Sequence, residues 1–174
     1  MSIPSLPAAV RFNPNDTQML YYLKDKILGR LQLPAGVPDG YFSDNINPYS
    51  YDPVELPKGE DFNDYSEAFY FTNKPENRNV KDGFWRASTS PEKIFDNGQM
   101  LGFKEEFHFF WSLQSETVNT CWIMHEFSVI PAIFSEDERK ANGNRIESYI
   151  ACRIQYKPSV YMSEEELEEL MADD

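Results

Sequence analysis

Residues Asp82 to Lys93, DGFWRASTSPEK, alternate large rings and a cation with small hydroxylated residues. In extended backbone, Phe84, Arg86 and Ser88 point to one side while Trp85, Ala87 and Thr89 point to the other. A strand edge carrying Arg and Ser or Thr suits a DNA major groove. There Arg contacts guanine or phosphate, and a hydroxylated side chain hydrogen-bonds to a base edge or touches a thymine methyl. The same pattern also suits ordinary sheet packing with a snorkelling arginine, and from this stretch alone both readings stand.

Other chemistry finds less support. Cys121, His125, His108 and Cys152 are zinc-ligand types, but Cys121 and His125 fall in a segment that reads as a strand. Four residues there span roughly 13 Å, too far for one tetrahedral ion. A nucleophile elbow, a phosphate loop and a metalloprotease helix signature are missing, and two histidines are all that could serve as a neutral-pH base. Glu105 and Glu106 are adjacent in a predicted strand and so face opposite ways. The expectation is a chain without catalytic residues, metal or cofactor, and therefore not an enzyme, with both cysteines reduced.

The elements that position these residues follow from periodicity. Asn15 can cap a helix with Gln18 three residues on, and Met19, Leu20, Leu23 and Ile27 continue at helical spacing until Gly29, which predicts a helix from Asp16 to about Leu28. Leu31 to Pro57 is loop-rich, with seven prolines or glycines. It holds a short segment at Tyr41 to Asp44 and, after Asp52, a single-turn helix at Pro53 to Leu56. Beyond Phe62 the period falls to two. Ala68 to Asn73, Gly83 to Ser88, Met100 to Trp111, Asn119 to Val129 and Ser148 to Tyr156 read as strands, with Asn97 and Gly98 as a hairpin turn and Asn142 with Gly143 marking a loop within Ser135 to Arg145. Five strands with short links predict an α+β fold, a twisted antiparallel sheet packed between the N-terminal helix and the short second one.

Charge divides unevenly. The formal net charge is −13, yet residues 159–174 alone hold seven acids and no base, leaving −6 for the rest. Ser163 begins an acidic amphipathic helix with Leu167, Leu170 and Met171 on one face, readable as a solvated tail or as a partner-binding segment. Between Lys74 and Lys104, six bases against four acids make the balance locally positive. MSIPSLPAAVRF is unlike a signal peptide and no stretch approaches a membrane span, so a soluble intracellular protein is expected. One domain over residues 1–158 plus an acidic tail, 159–174, is the expected organisation.

Read in order, the blocks resemble the NAC domain of plant transcription factors. LPAAVRFNPNDTQMLYYLKDKILG (Leu6 to Gly29) is similar to the family's LPPGFRFxPTDEEL opening, YSYDPVELP (Tyr49 to Pro57) to DPWELP, EAFYFTN (Glu67 to Asn73) to WYFFxP, and GFWRAST (Gly83 to Thr89) to GYWKATG. MLGFKEEFHFF, TCWIMHEFSV and YIACRIQYKP resemble the VGxKKxLVFY, TxWVMHEY and WVLCRIxKK blocks. The resemblance implies the α+β fold already read. It also implies a nuclear transcription factor that dimerises and inserts the GFWRAST strand edge into the major groove of double-stranded DNA.

By this likeness Arg86, Ser88 and Thr89 lie near bases, Arg78, Lys81, Lys93 and Lys104 near phosphates, Trp85 braces the strand from within, and Ala87 and Ser90 complete the DNA-binding set. Leu6, Pro7, Val10, Arg11 and Gln18 fall at the dimer interface. Here Gln18 stands where the family has a glutamate partner for the arginine, and it can equally close the helix cap. The chain departs from the family in its cations: Glu92 and Glu105 stand where lysines are usual, Thr89 replaces a glycine, and SLQSETVNT (Ser112 to Thr120) lacks the usual basic loop. These departures imply weaker DNA binding across sequences, each lost phosphate contact removing about one unit of salt dependence. They also leave open an alternative, a NAC-like module that pairs with related factors and binds DNA weakly or not at all.

Overall fold

The capping box at the first helix closes as its sequence implies: the Asn15 side chain accepts the Gln18 amide and the Gln18 side chain accepts the Asn15 amide, each at 2.8 Å. Helix α1 (Asp16–Ile27) then buries Met19, Leu20, Leu23 and Ile27 to 1% exposure or less. Gly29, at φ +73°, takes the left-handed conformation that ends it. Burying each of these side chains contributes about 1.5–3 kcal/mol, which makes this face the principal anchor of α1 to the sheet. The computed structural model describes residues 12–37, 40–58, 62 and 66–172.

Eight strands form one open sheet: β1 (Phe42–Ser43), β2 (Glu67–Asn73), β3 (Gly83–Ala87), β4 (Glu92–Asp96), β5 (Gln99–Leu113), β6 (Glu116–Val118), β7 (Trp122–Val129) and β8 (Tyr149–Tyr156). The order is β1-β2-β8-β7-β5-β3, with β4 and β6 also paired to the long strand β5. The fold is α+β, as expected, but the sheet is mixed because β1 runs parallel to β2. A parallel pair needs a crossover. It lies between β1 and β2, and its described part buries Tyr49 and Leu56 on the sheet face opposite α1.

Two apolar clusters result. One joins α1 to Phe69, Phe71, Phe127, Val129 and Ala151; the other joins Tyr49 and Leu56 to Tyr70, Trp85, Phe109, Met124 and Ile154. The members of each strand alternate between the clusters as strand geometry requires.

Three features differ from the sequence expectation. The stretch expected to be a loop at Asn142 is inside helix α2 (Glu136–Ser148), whose capping box pairs Ser135 with Glu138. The residues that argued against a helix coincide with a kink: Asn142 has φ −129° and ψ 17°. At Pro53 to Leu56 there is one uncontinued turn, in which the Glu55 and Leu56 amides both donate to the Asp52 carbonyl. Strands β4 and β6 were not anticipated.

Past β8 the chain makes a 3-10 turn (Pro158–Val160) and enters helix α3 (Glu164–Ala172), capped by Ser163 as the sequence predicts.

Candidate nucleic-acid interface

Strand β3 is the last in the sheet order, so one of its sides is an edge. It pairs with the Phe107 to Trp111 half of β5, while β4 pairs with the Gln99 to Lys104 half of the same strand. The two short strands therefore lie end to end along β5, and Ser88 to Pro91 form the corner between them. Five strand residues rise about 17 Å, and a major groove about 12 Å wide admits such a ribbon.

Part of the β3 edge is already used. The Ser88 amide donates to the Glu106 carbonyl, so by alternation the amides of Trp85 and Ala87 point away from β5. The Trp85 amide meets the Arg78 carbonyl at 2.9 Å, and the Gly83 carbonyl accepts from Val80 at 2.9 Å. The segment before β3 thus folds back over its first half. The open edge is the Ala87 to Ser90 corner, where Thr89 and Ser90 are exposed.

The expected contact residues divide into two groups. Trp85 is 4% exposed and packs on Phe109 with centroids 5.1 Å apart, a bracing position. Lys81 is exposed just before β3, and Lys93 is exposed near the start of β4, beside the corner. Arg86 is half-buried on the sheet face that carries α1, and its Nη2 donates to the Leu170 carbonyl of α3 at 2.9 Å. Ser88 Oγ donates to Glu106 Oε2 at 2.8 Å.

Arg78 and Lys104 are drawn inward. The Arg78 guanidinium sits on Glu126, Nε to Oε2 at 2.7 Å and Nη2 to Oε1 at 2.9 Å, and lies 4.3 Å from the centre of the Phe107 ring. Tyr49 donates its hydroxyl to the same carboxylate. The hydrogen bonds to Glu126 raise the Arg78 pKa further above its ordinary range. Lys104 Nζ lies 3.2 Å from Asp16 at the start of α1. Gln18 is engaged in the cap of α1, while Leu6, Pro7, Val10 and Arg11 lie outside the described residues.

The family profile described as No apical meristem (NAM) protein matches residues 7–129. The chain belongs to the NAC (No apical meristem) family. NAC domain-containing protein 1 of Solanum lycopersicum is 28% identical over 94% of this chain and 61% of its own length. NAC transcription factor 29 of Arabidopsis thaliana is 26% identical over 98% of this chain and 65% of its own. The tomato NAC domain-containing protein JA2L is 29% identical over 89% of this chain and 43% of its own. The chain thus spans between about two fifths and two thirds of the length of these relatives.

Beside its edge this NAC domain carries a polar row that sequence reading missed. Glu106, His125 and Arg153 stand opposite one another across β5, β7 and β8, and Ser88, just past β3, bonds to Glu106 at the end of the row. His125 donates from Nε2 to Glu106 at 3.1 Å and accepts at Nδ1 from Arg153 at 2.9 Å, so one neutral tautomer satisfies both contacts. One register position along, His108 Nε2 donates to the Thr120 carbonyl at 2.7 Å and to Asn119 Oδ1 at 3.1 Å. Period two in the sequence puts Glu106 and His108 on one face of β5; that His125 and Arg86 share this face follows from the strand register, which spacing does not give.

This row makes stability depend on pH in one direction. Burial lowers the pKa of both histidines from 6.5, outweighing the Glu106 hydrogen bond that raises His125. The hydrogen bond from His125, helped by Ser88, lowers Glu106 from 4.5 to about 2 despite burial. The unfolded chain therefore binds more protons than the folded one below pH 6.5 and again below 4.5. The urea midpoint is expected to fall on acidification through both windows, and in Glu106→Gln the fall below pH 4.5 is expected to shrink. A midpoint that rises between pH 7 and 5 contradicts the neutral histidines.

Proposed function

We propose that this chain is a NAC-type transcription factor that acts in the nucleus, reading double-stranded DNA by placing the β3–β4 edge in the major groove. The observation that carries the reading is the edge position of β3, with Arg86 on its face and Thr89 and Ser90 exposed at the corner that follows. The relatives named transcription factors and the family membership support the regulatory role. In this reading Arg86, Thr89, Ser90 and the outward Ala87 amide meet base edges. Lys81 and Lys93 meet phosphates, while Arg78 and Lys104 hold the frame through Glu126 and Asp16.

Few phosphate cations give shallow salt dependence. Two phosphate contacts, Lys81 and Lys93, correspond to a slope of about −2 in log affinity against log salt. Mobility shift on a duplex selected from a random library is the test. Lys81→Ala and Lys93→Ala should each lower the slope by about one and weaken all sequences alike. Arg86→Ala should cost about 1–3 kcal/mol on the selected duplex and much less on scrambled DNA. Wild-type chain that never prefers any selected duplex at low salt overturns the reading.

Dimerisation through the Leu6 to Arg11 segment belongs to the same proposal, without Gln18. Gln18→Ala should lower stability by about 0.5–1 kcal/mol through the lost cap and leave the sedimentation profile unchanged; a shift toward monomer would restore Gln18 to the interface.

The inward pairing of Arg78 and Lys104 favours a second reading, a NAC-fold module that pairs with related factors and contacts DNA weakly. Affinity capture in which every partner is lost on nuclease treatment would remove it.

A further inference from the structure

Helix α3 is docked by both ends onto the face that carries Arg86. At its start, Asn119 Nδ2 donates to the Met162 carbonyl at 2.7 Å, while Asn119 Oδ1 accepts from the buried His108. Near its end, Arg86 Nη2 donates to the Leu170 carbonyl at 2.9 Å. Arg86 and His108 stand opposite each other across β3 and β5, so the two anchors spring from one patch. Between them Leu167, Leu170 and Met171 are half-buried, and Glu164, Glu165, Glu166, Glu168 and Glu169 are exposed.

The contact is chemically matched. Leu170 lies in the last turn, where carbonyls lack partners within the helix and carry the negative end of its dipole. A guanidinium there satisfies an acceptor and meets a favourable field. The same guanidinium is then occupied, and the helix that occupies it carries five exposed carboxylates that would repel a phosphate backbone.

We infer that α3 is an intramolecular lid on the DNA-reading edge, a helix that duplex DNA must displace from Arg86 and Asn119 before it binds. This rests on the DNA-binding reading proposed above. When the docked form prevails roughly nine to one, the apparent affinity for DNA is about tenfold below the intrinsic one. A partner that takes up an acidic amphipathic helix would raise DNA affinity without touching DNA.

The full chain tests this with variants that leave net charge unchanged. Leu167→Pro breaks α3 from within, and Asn119→Ala removes its first anchor; neither residue belongs to the proposed DNA contacts. The expected results are a roughly tenfold tighter complex of Leu167→Pro with the selected duplex, a smaller gain for Asn119→Ala, and faster hydrogen exchange at the Leu167 to Ala172 amides of wild-type chain when duplex is added. Wild type and both variants binding the selected duplex with equal affinity, and exchange unchanged by DNA, overturn the lid and leave the DNA reading intact. Selected and scrambled duplexes bound alike by all three chains overturn the DNA reading and the lid with it.

Discussion

Glu126→Ala is expected to lower the free energy of unfolding by about 3 kcal/mol, because the Arg78 charge is then left half-buried without its carboxylate. Glu126 is 5% exposed and takes both guanidinium hydrogen bonds and that of Tyr49. Its loss strands a donor on each side. Glu105 stands directly opposite Glu126 in the β5–β7 register, so pairing Glu126 with Arg78 also offsets the repulsion between the two carboxylates. A double variant, Arg78→Met with Glu126→Leu, should recover most of the loss, since apolar residues of similar volume avoid the desolvation cost of the pair. Urea denaturation of the two single variants and the double one measures the coupling. The same chains separate two roles for Arg78: as a frame residue its removal lowers stability and leaves the salt slope of DNA binding unchanged. A drop of one in that slope, with stability intact, would return Arg78 to the phosphates.

Gly83→Ala should be nearly as costly, about 2–3 kcal/mol. A β-carbon at Gly83 would lie 2.3 Å from the Phe110 carbonyl oxygen and 2.5 Å from Phe109 Cζ. Backbone cannot yield cheaply there, because Gly83 faces Trp111 at the start of the β3–β5 ladder and Asp82, just before it, accepts the Ser112 amide. The strand has to lift away from β5, taking Arg86 with it, so DNA affinity should fall about tenfold alongside stability. Gly98→Ala is the contrast. Gly98 has φ +80° with open space around it, so strain alone applies, about 1 kcal/mol. If Gly83→Ala melts with wild-type chain, β3 is not packed on β5 as described.

The sheet was legible wherever one strand face is apolar. EAFYFTN, GFWRA and WIMHEFSV announce themselves by rings and branched residues at period two, and each is a strand within a residue or three of its expected bounds. Strand β4, EKIFD, stayed hidden because Ile94 is its sole buried side chain. Helix α2 stayed hidden for the same reason: Ile146 is the sole buried residue along thirteen, so no apolar stripe marks it and the capping box was its signal.

The candidate site was half legible. Its strand, its arginine and its small hydroxylated residues can be read locally. What neutralises its cations cannot: Arg78 meets Glu126 across 48 residues and Lys104 meets Asp16 across 88. Pairings at such separations are decided by tertiary packing, and a run of bases in the sequence counts them as available charge.

The strand order has a bearing on how the chain is made. β8 lies between β2 and β7, yet it follows both in sequence and leaves the ribosome after every other described strand. Until residues 149–156 emerge, β2 and β7 each offer a bare hydrogen-bonding side, and β7 is buried at seven of its eight positions in the finished protein. The sheet can close at its centre only after residues 149–156 have been synthesised, by a pairing that joins residues about 80 apart, such as Phe69 with Arg153. Such late, long-range closure folds slowly and leaves sticky edges exposed meanwhile. Newly made chains should therefore depend on chaperones, and residues 149–156 are where a nascent chain commits to its fold.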